Sequence, residues 1–187
     1  MLILSPTNSN IQKARRIVRQ GGAIIYPTDT LYGLGVDIFN QKAIKKIIGL
    51  KGRSFNKPIS VAVSDLRQIR QLAYLNQRQE KFIRALFPGP FTIILKKKRG
   101  VNGVLTAGRN RIGIRIPDSE ICQKLSRDLP ITSTSANISG IKPTCDFRKL
   151  IKIFNGRVDL ILKGRKLRGR PSIVIDLTKE PFRILRG

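Results

Sequence analysis

The sequence predicts a single α/β domain over residues 1–187, and three observations lead to this prediction. Short segments rich in Ile and Val alternate with segments whose apolar residues recur at helical spacing, an order typical of α/β proteins. A length of 187 residues suits one domain with a sizeable core. No internal repeat and no interdomain linker interrupts the alternation.

The first half of the chain is predicted to hold three strands and three helices. Their order is strand 1–4, a helix capped by Asn8 or Ser9 and ended by Gly21 and Gly22, strand 23–26, helix 41–50, strand 59–63 and a helix capped by Asp65. Pro27 is expected to stop the second strand, because proline cannot donate to a sheet ladder.

The second half continues the alternation. We predict helix 80–87, strand 91–95, strand 111–116, helix 119–129, a short strand from Ile131, a helix from the cap Asp146 to Phe154, and strands 160–162, 173–176 and 183–185. The breaker 88–90, Pro-Gly-Pro, ends the first of these helices. In strand 111–116, Arg111 and Arg115 share one face because they alternate with isoleucines.

Composition narrows the possible functions. The chain has 37 Lys and Arg against 11 Asp and Glu, a net charge of +26, which attracts phosphates and nucleic acids. The alternative is a solvated basic surface without a partner. The absence of histidine excludes Ser-His and Cys-His catalysis and His-containing zinc sites, and two cysteines do not make a disulfide framework.

Two further absences bear on location. The sequence has no tract of eighteen apolar residues and no signal-peptide pattern. We therefore expect a cytoplasmic protein without membrane contact.

Three separate stretches carry the groups that a ligand site needs. The buried strand 23–26 leads into two threonines and an aspartate, at the strand end where α/β proteins usually bind ligands. Gly33 and Gly35 follow and admit close approach to the backbone. We predict that residues 22–35 form one pocket, lined to receive anions, with 51–53 and 133–137.

Each group also has an ordinary explanation. Lys51 and Arg53 stand two apart in an expected extended or turn segment, which suits a phosphate or carboxylate, but such pairs are often solvated surface. Ser135 and Asn137 can orient an oxyanion, or equally cap a helix or form an Asx turn. Arg115 either meets an anion or is a solubilising charge on an edge strand.

The joint occurrence of these motifs resembles the YrdC/TsaC family, the L-threonylcarbamoyladenylate synthases, along almost the whole chain. The motifs that carry the resemblance are residues 26–35, 51–53, 57–59, 87–92, 113–117, 133–140, 172–177 and 184–186. The resemblance implies a twisted open mixed sheet with flanking helices and a basic concave cavity.

The resemblance also implies a reaction. L-Threonine, bicarbonate and ATP would give threonylcarbamoyl-AMP and pyrophosphate, with Mg²⁺ arriving on ATP and no metal ligands from the protein. A separate threonylcarbamoyl-transfer complex would use the product for the N6-threonylcarbamoyl modification of adenosine 37 in tRNA. Two alternatives stay open: an RNA-binding protein of the same fold, contacting tRNA or double-stranded RNA, and a related carbamoyl-adenylate chemistry.

Carried over position by position, the resemblance implies roles for individual residues. The catalytic set is Lys51, Arg53, Ser135 and Asn137. The threonine-binding set is Thr30, Arg115, Ser133 and Ser172. The ATP-binding set is Arg53, Lys57, Arg111, Ser135, Thr144 and Arg186. Lys57, Arg111 and the basic segment 163–172 depart from the usual family pattern.

Overall fold

The computed structural model describes residues 1–164, 167 and 169–187, which build two mixed β-sheets and six helices. The strands are β1 (Leu2–Leu4), β2 (Ile24–Pro27), β3 (Tyr32–Gly35), β4 (Val61–Ala62), β5 (Phe91–Lys96), β6 (Arg111–Arg115), β7 (Ile131–Thr132), β8 (Thr134–Ser135), β9 (Leu160–Leu162), β10 (Ile173–Asp176) and β11 (Arg183–Arg186). The helices are α1 (Asn8–Arg19), α2 (Gln41–Lys51), α3 (Leu66–Leu72), α4 (Gln77–Leu86), α5 (Glu120–Ser126) and α6 (Phe147–Phe154). The predicted α/β class is confirmed.

The mixed sheet is divided in two. The first sheet has the order β1-β9-β2-β3-β8, and the second has the order β11-β10-β5-β6-β4-β7. The chain passes from the second sheet to the first between β7 and β8, through the single residue Ser133. The Ser133 N–H donates to the Ser60 carbonyl at 2.6 Å. The two sheets therefore lie side by side at this residue.

Both sheets contribute to one hydrophobic core. Ile25 and Leu34 of the first sheet belong to the same buried cluster as Ile93 and Ile114 of the second. A second cluster packs α1 and α5 against the first sheet. Burial of this apolar surface is the main force holding the sheets together, so a hollow between them has fixed walls.

The hairpin of β2 and β3 differs from the prediction. Residues 32–35, for which no strand is predicted, form a strand antiparallel to β2, and Pro27 is the last residue of β2. The group that approaches Gly33 and Gly35 closely is the buried Tyr26 ring, because a Cβ at these positions would lie 2.8 and 2.7 Å from ring atoms. The glycines thus serve packing within the hairpin.

Several helix boundaries differ from the prediction because other residues than expected cap the helices. Thr7, rather than Asn8 or Ser9, caps α1, since its hydroxyl accepts from the Asn10 N–H at 3.3 Å. Helix α4 begins earlier than predicted, because Asn76 and Gln79 form a capping box. The caps Asp65 and Asp146, and the three last strands, are confirmed. In the described part of the chain, none of the helices has the length and hydrophobicity to cross a bilayer.

Candidate active site

A cavity of about 330 Å³ is lined by residues of both sheets. Seven residues predicted for the site lie in its wall: Thr30, Arg53, Arg115, Ser133, Ser135, Ser172 and Arg186. They come from the β2–β3 turn, the segment after α2, strands β6 and β8, and the region of β10 and β11. Groups distant in the chain therefore meet in one hollow, as the sequence predicts.

The β2–β3 turn holds Arg115 from the side. Thr28 organises the turn, because its hydroxyl donates to the Leu31 carbonyl at 2.7 Å and accepts from the Thr30 N–H at 3.1 Å. Thr30 Oγ1 then accepts from Arg115 Nη1 at 3.1 Å, and Asp29 Oδ1 accepts from Arg115 Nη2 at 2.5 Å. The Arg115 and Asp29 side chains are 7% and 5% exposed. Arg115 is thus a buried cavity residue, and the edge-strand explanation is wrong, since β6 lies between β5 and β4.

Lys51 and Arg53 diverge instead of facing one side together. Lys51 is the last residue of α2, and Gly52 ends the helix in the left-handed conformation with φ 56°. The buried Lys51 Nζ donates to the carbonyls of Ser135 and Asn137 at 2.5 and 2.9 Å and to Asn137 Oδ1 at 3.0 Å. Burial, with Arg53 nearby, lowers the pKa of Lys51 to about 8. The expectation that both side chains face one side is therefore wrong: Lys51 holds residues 135–137 by hydrogen bonds, and Arg53 lines the cavity.

The cavity face of this region carries Arg53 and Ser135. Arg53 Nη2 donates to the Pro58 carbonyl at 2.8 Å and Nε donates to the Lys57 carbonyl at 3.2 Å. Burial lowers the pKa of Arg53. Ser135 Oγ donates to Asn137 Oδ1 at 2.6 Å. Asn137 stands behind Ser135 and does not itself line the cavity.

Arg186 closes another side of the cavity. From β11, its Nε and Nη2 donate to the Ser172 carbonyl at 3.0 and 2.8 Å, and Nη2 also donates to Ser172 Oγ at 3.1 Å. Ser172 Oγ is 2.8 Å from Thr92 Oγ1. Burial and the neighbouring positive charge of Arg115 lower the pKa of Arg186. The bonds to Ser172 and the position of Arg186 on the edge strand β11 thus hold this guanidinium at the cavity wall.

Three of the residues predicted to bind ATP lie outside the cavity. The Lys57 side chain is exposed, and its carbonyl accepts from Arg53. Arg111 is ion-paired with Asp176 Oδ2 at 3.1 Å and lines a smaller groove of about 210 Å³, which shares Pro58, Ser60 and Thr92 with the cavity. Thr144 Oγ1 accepts from the Asp146 N–H at 3.0 Å. Contact of these three residues with ATP stays a prediction.

Some residues of the cavity wall were not predicted from the sequence. Ser60 and Thr92 line the cavity, although both belong to segments predicted as buried apolar strands. A single hydroxyl inside such a run was the signal that could have identified them. Asp29 was noted as part of the motif, but its pairing with Arg115 was not predicted.

The cavity wall is cationic and rich in hydroxyls. Within residues 1–164, 167 and 169–187, three arginines and no carboxylate line it. Across the same ranges, no three His, Cys, Asp or Glu side chains cluster so as to hold a metal ion. In the basic segment 163–172, Arg165, Lys166 and Arg168 lie outside the described residues. Such a wall can orient anions and stabilise developing negative charge.

Known proteins are similar to this chain in sequence and in fold. Residues 16–187 match the family model Sua5_yciO_yrdC, described as "Telomere recombination". A Methanocaldococcus jannaschii protein is 38% identical over 173 residues, 92% of this chain and 82% of the relative. The threonylcarbamoyl-AMP synthase of Pyrococcus abyssi is 34% identical over 180 residues, and the match spans 94% of this chain but 53% of that protein.

A solved structure adds a comparison at the level of the backbone. Sua5 of P. abyssi complexed with L-threonine superposes with a TM-score of 0.93 at 32% identity, covering 99% of this chain and 56% of the other. The chain therefore spans about half the length of the P. abyssi protein. On the extent of the family match and of these similarities, the chain belongs to the Sua5/YciO/YrdC family.

Proposed function

We propose that this protein is an L-threonylcarbamoyladenylate synthase, a nucleotidyltransferase that joins L-threonine, bicarbonate and ATP into threonylcarbamoyl-AMP and pyrophosphate. The observation that carries the proposal is the convergence of Arg53, Arg115, Ser135 and Arg186 on one cavity. The P. abyssi protein of nearly the same fold is named as this enzyme and has been solved with L-threonine.

The proposed chemistry suits a site without histidine. The threonine ammonium loses a proton to solvent, and the neutral amine and bicarbonate then form a carbamate and water. A carbamate oxygen then attacks the α-phosphorus of ATP, the bond to the β,γ-phosphates breaks, and pyrophosphate leaves with its electron pair. Because the attacking group is already an anion, the site needs charge stabilisation and alignment more than a general base.

Individual residues have distinct proposed tasks. Arg115 and Thr30 hold the threonine carboxylate, and Arg53 and Arg186 hold phosphate oxygens. The single hydroxyl hydrogen of Ser135, which Asn137 Oδ1 accepts, turns to the carbamate or the α-phosphate when the ligand binds, and Lys51 fixes the Ser135 backbone through its carbonyl. Ser133 and Ser172 complete the wall on the threonine side.

Magnesium enters this proposal only with the nucleotide. The described residues offer no cluster of carboxylates that fits a resident Mg²⁺ ion. We therefore assign the metal to the ATP phosphates, where it supplies charge neutralisation, and assign no step of the protein to it.

The test measures pyrophosphate release with all three substrates present and with each of them omitted in turn. We expect pyrophosphate release that requires ATP, bicarbonate and L-threonine together. Release with carbamoyl phosphate in place of threonine and bicarbonate would instead support a related carbamoyl-adenylate chemistry. Folded protein that releases no pyrophosphate under either condition would overturn the enzyme proposal.

RNA binding is a second candidate function, favoured by one surface. A groove of about 690 Å³ is lined by Lys96, Arg109, Arg111 and Lys179. Beside it, Lys96 Nζ and Lys98 Nζ lie 5.9 and 5.7 Å from the centroid of the half-exposed Tyr74 ring. Cations next to an accessible aromatic ring suit a polynucleotide. We expect binding of labelled tRNA that weakens steeply with salt, and weak binding with no salt dependence would contradict this function.

The proposed reaction also suggests a setting. We propose that residues 1–187 act as one domain, since both sheets share one core. ATP and tRNA metabolism would place the enzyme in the cytoplasm, where a separate transfer complex takes up threonylcarbamoyl-AMP for modification of adenosine 37.

A further inference from the structure

The three arginines of the cavity are not electrostatically equivalent. Arg115 forms a buried ion pair with Asp29, at 2.5 Å between Nη2 and Oδ1. Arg53 and Arg186 donate only to neutral carbonyl and hydroxyl oxygens, and neither forms an ion pair with a carboxylate of the residues described. Positive charge in the cavity is thus compensated at Arg115 and uncompensated at Arg53 and Arg186.

We propose that Asp29 is a specificity-determining residue that divides the cavity into an amino-acid half and a phosphate half. By neutralising Arg115 it leaves a guanidinium that still donates hydrogen bonds but attracts polyanions weakly. Arg53 and Arg186 then form the half that binds pyrophosphate groups. The inference rests on the proposed function, because it takes threonine and ATP as the two ligands to be sorted.

The two ligands differ in net charge. Threonine is a zwitterion without net charge, so its carboxylate needs oriented N–H donors rather than a surplus of positive charge. A di- or triphosphate carries several negative charges and gains most where cations have no counter-charge. Without Asp29, three similar arginines would line a hollow of about 330 Å³, and phosphates could bind at either end.

Asp29 acts on the ligand through Arg115 and does not itself line the cavity. Its side chain is 5% exposed, is not part of the cavity wall, and lines a separate hollow that Asp118 also lines. The carboxylate therefore sets the charge and orientation of Arg115 without blocking the space in front of it. This distinguishes Asp29 from a residue that contacts substrate.

The test measures equilibrium binding of labelled L-threonine with and without inorganic pyrophosphate. In the unaltered protein we expect both ligands to bind at once, so that saturating pyrophosphate changes the apparent Kd of threonine by less than about twofold. In Asp29→Asn we expect pyrophosphate to compete and to raise that Kd about tenfold. Asp118→Asn is the matched control, since it loses the same charge at an exposed site outside the cavity and should behave as the unaltered protein.

Different outcomes would overturn this inference and the proposed function. Competition in the unaltered protein, or its absence in folded Asp29→Asn, would overturn the division of the cavity. If circular dichroism shows that Asp29→Asn does not fold, competition between the two ligands in the unaltered protein would still overturn the division. Unaltered protein that binds pyrophosphate but neither threonine nor ATP would overturn the proposed function itself.

Discussion

At the scale of single residues, the buried Lys51 ammonium shows how a side chain can serve a site without facing it. Its three donors match three acceptors, two carbonyls and one amide oxygen, all within residues 135–137. A protonated amine has three N–H donors and a neutral amine has two, so deprotonation removes one of these bonds. The position of Ser135 therefore depends on the charge state of Lys51.

The first prediction follows from the pKa of Lys51, which burial lowers to about 8. Below that pH the ammonium holds the 135–137 loop, and above it the loop loosens. We expect kcat/KM for pyrophosphate release to fall as the pH rises through about 8. Lys51→Met lacks the titrating group, so its activity should be about a hundredfold lower, with no such limb. The same limb in Lys51→Met would show that another group is responsible.

A second prediction concerns Arg53, one of the two cavity arginines that form no ion pair with the described carboxylates. Arg53→Ala removes a donor to the phosphates, and we expect pyrophosphate release to fall about a hundred- to a thousandfold. Its thermal unfolding should change little, because within the described part of the chain the Arg53 side chain bonds only to the carbonyls of Lys57 and Pro58. Lys45→Ala, which alters an exposed cation of α2, is the control. Near-full turnover of folded Arg53→Ala would remove Arg53 from the catalytic set.

At the scale of elements, the β2–β3 hairpin connects the core to the site. The buried Tyr26 ring packs over Gly33 and Gly35, and its hydroxyl donates to the Thr132 carbonyl at 2.9 Å. Burial raises the pKa of Tyr26 well above its ordinary value, so the hydroxyl remains a donor at neutral pH. This packing fixes the strands whose turn carries Asp29 and Thr30.

The third prediction tests that packing. A Cβ at Gly35 would lie 2.7 Å from Tyr26 Cε1, and the enclosed ring has little room to move. We expect Gly35→Ala to lower the free energy of unfolding by about 1–3 kcal/mol in denaturant titrations. At Gly49 of α2 an added Cβ meets nothing within 4 Å, so Gly49→Ala should raise stability by about 0.5–1 kcal/mol. Equal effects of the two substitutions would contradict the packing argument.

Helix caps could be predicted from the sequence because they depend on neighbouring residues. The shortest strands could not, because they depend on partners distant in the chain. The caps Asp65 and Asp146 depend on groups within three residues, and both were predicted. Strand β8 has two residues and exists because it pairs with β3, about a hundred positions earlier. Gly52 after an apolar helix was a legible signal for a helix end, and it explains why Lys51 and Arg53 diverge.

At the scale of the whole molecule, two sheets with one core carry arginines from three distant parts of the chain into one cavity. Seven predicted residues line it, because the motifs that hold them mark strand ends and turns at the junction of the sheets. The pairing of Asp29 with Arg115 spans 86 positions and leaves no trace in local pattern. Function-bearing residues were therefore easier to predict than their partners.

The most direct test of the account is to detect the product itself. The folded protein is incubated with ATP, L-threonine and ¹³C-labelled bicarbonate, and the nucleotides are analysed by mass spectrometry alongside a pyrophosphate assay. We predict a threonylcarbamoyl-AMP species that carries the label, with one pyrophosphate per adduct and neither product when threonine is omitted. Complete absence of the adduct with all three substrates present would contradict the account.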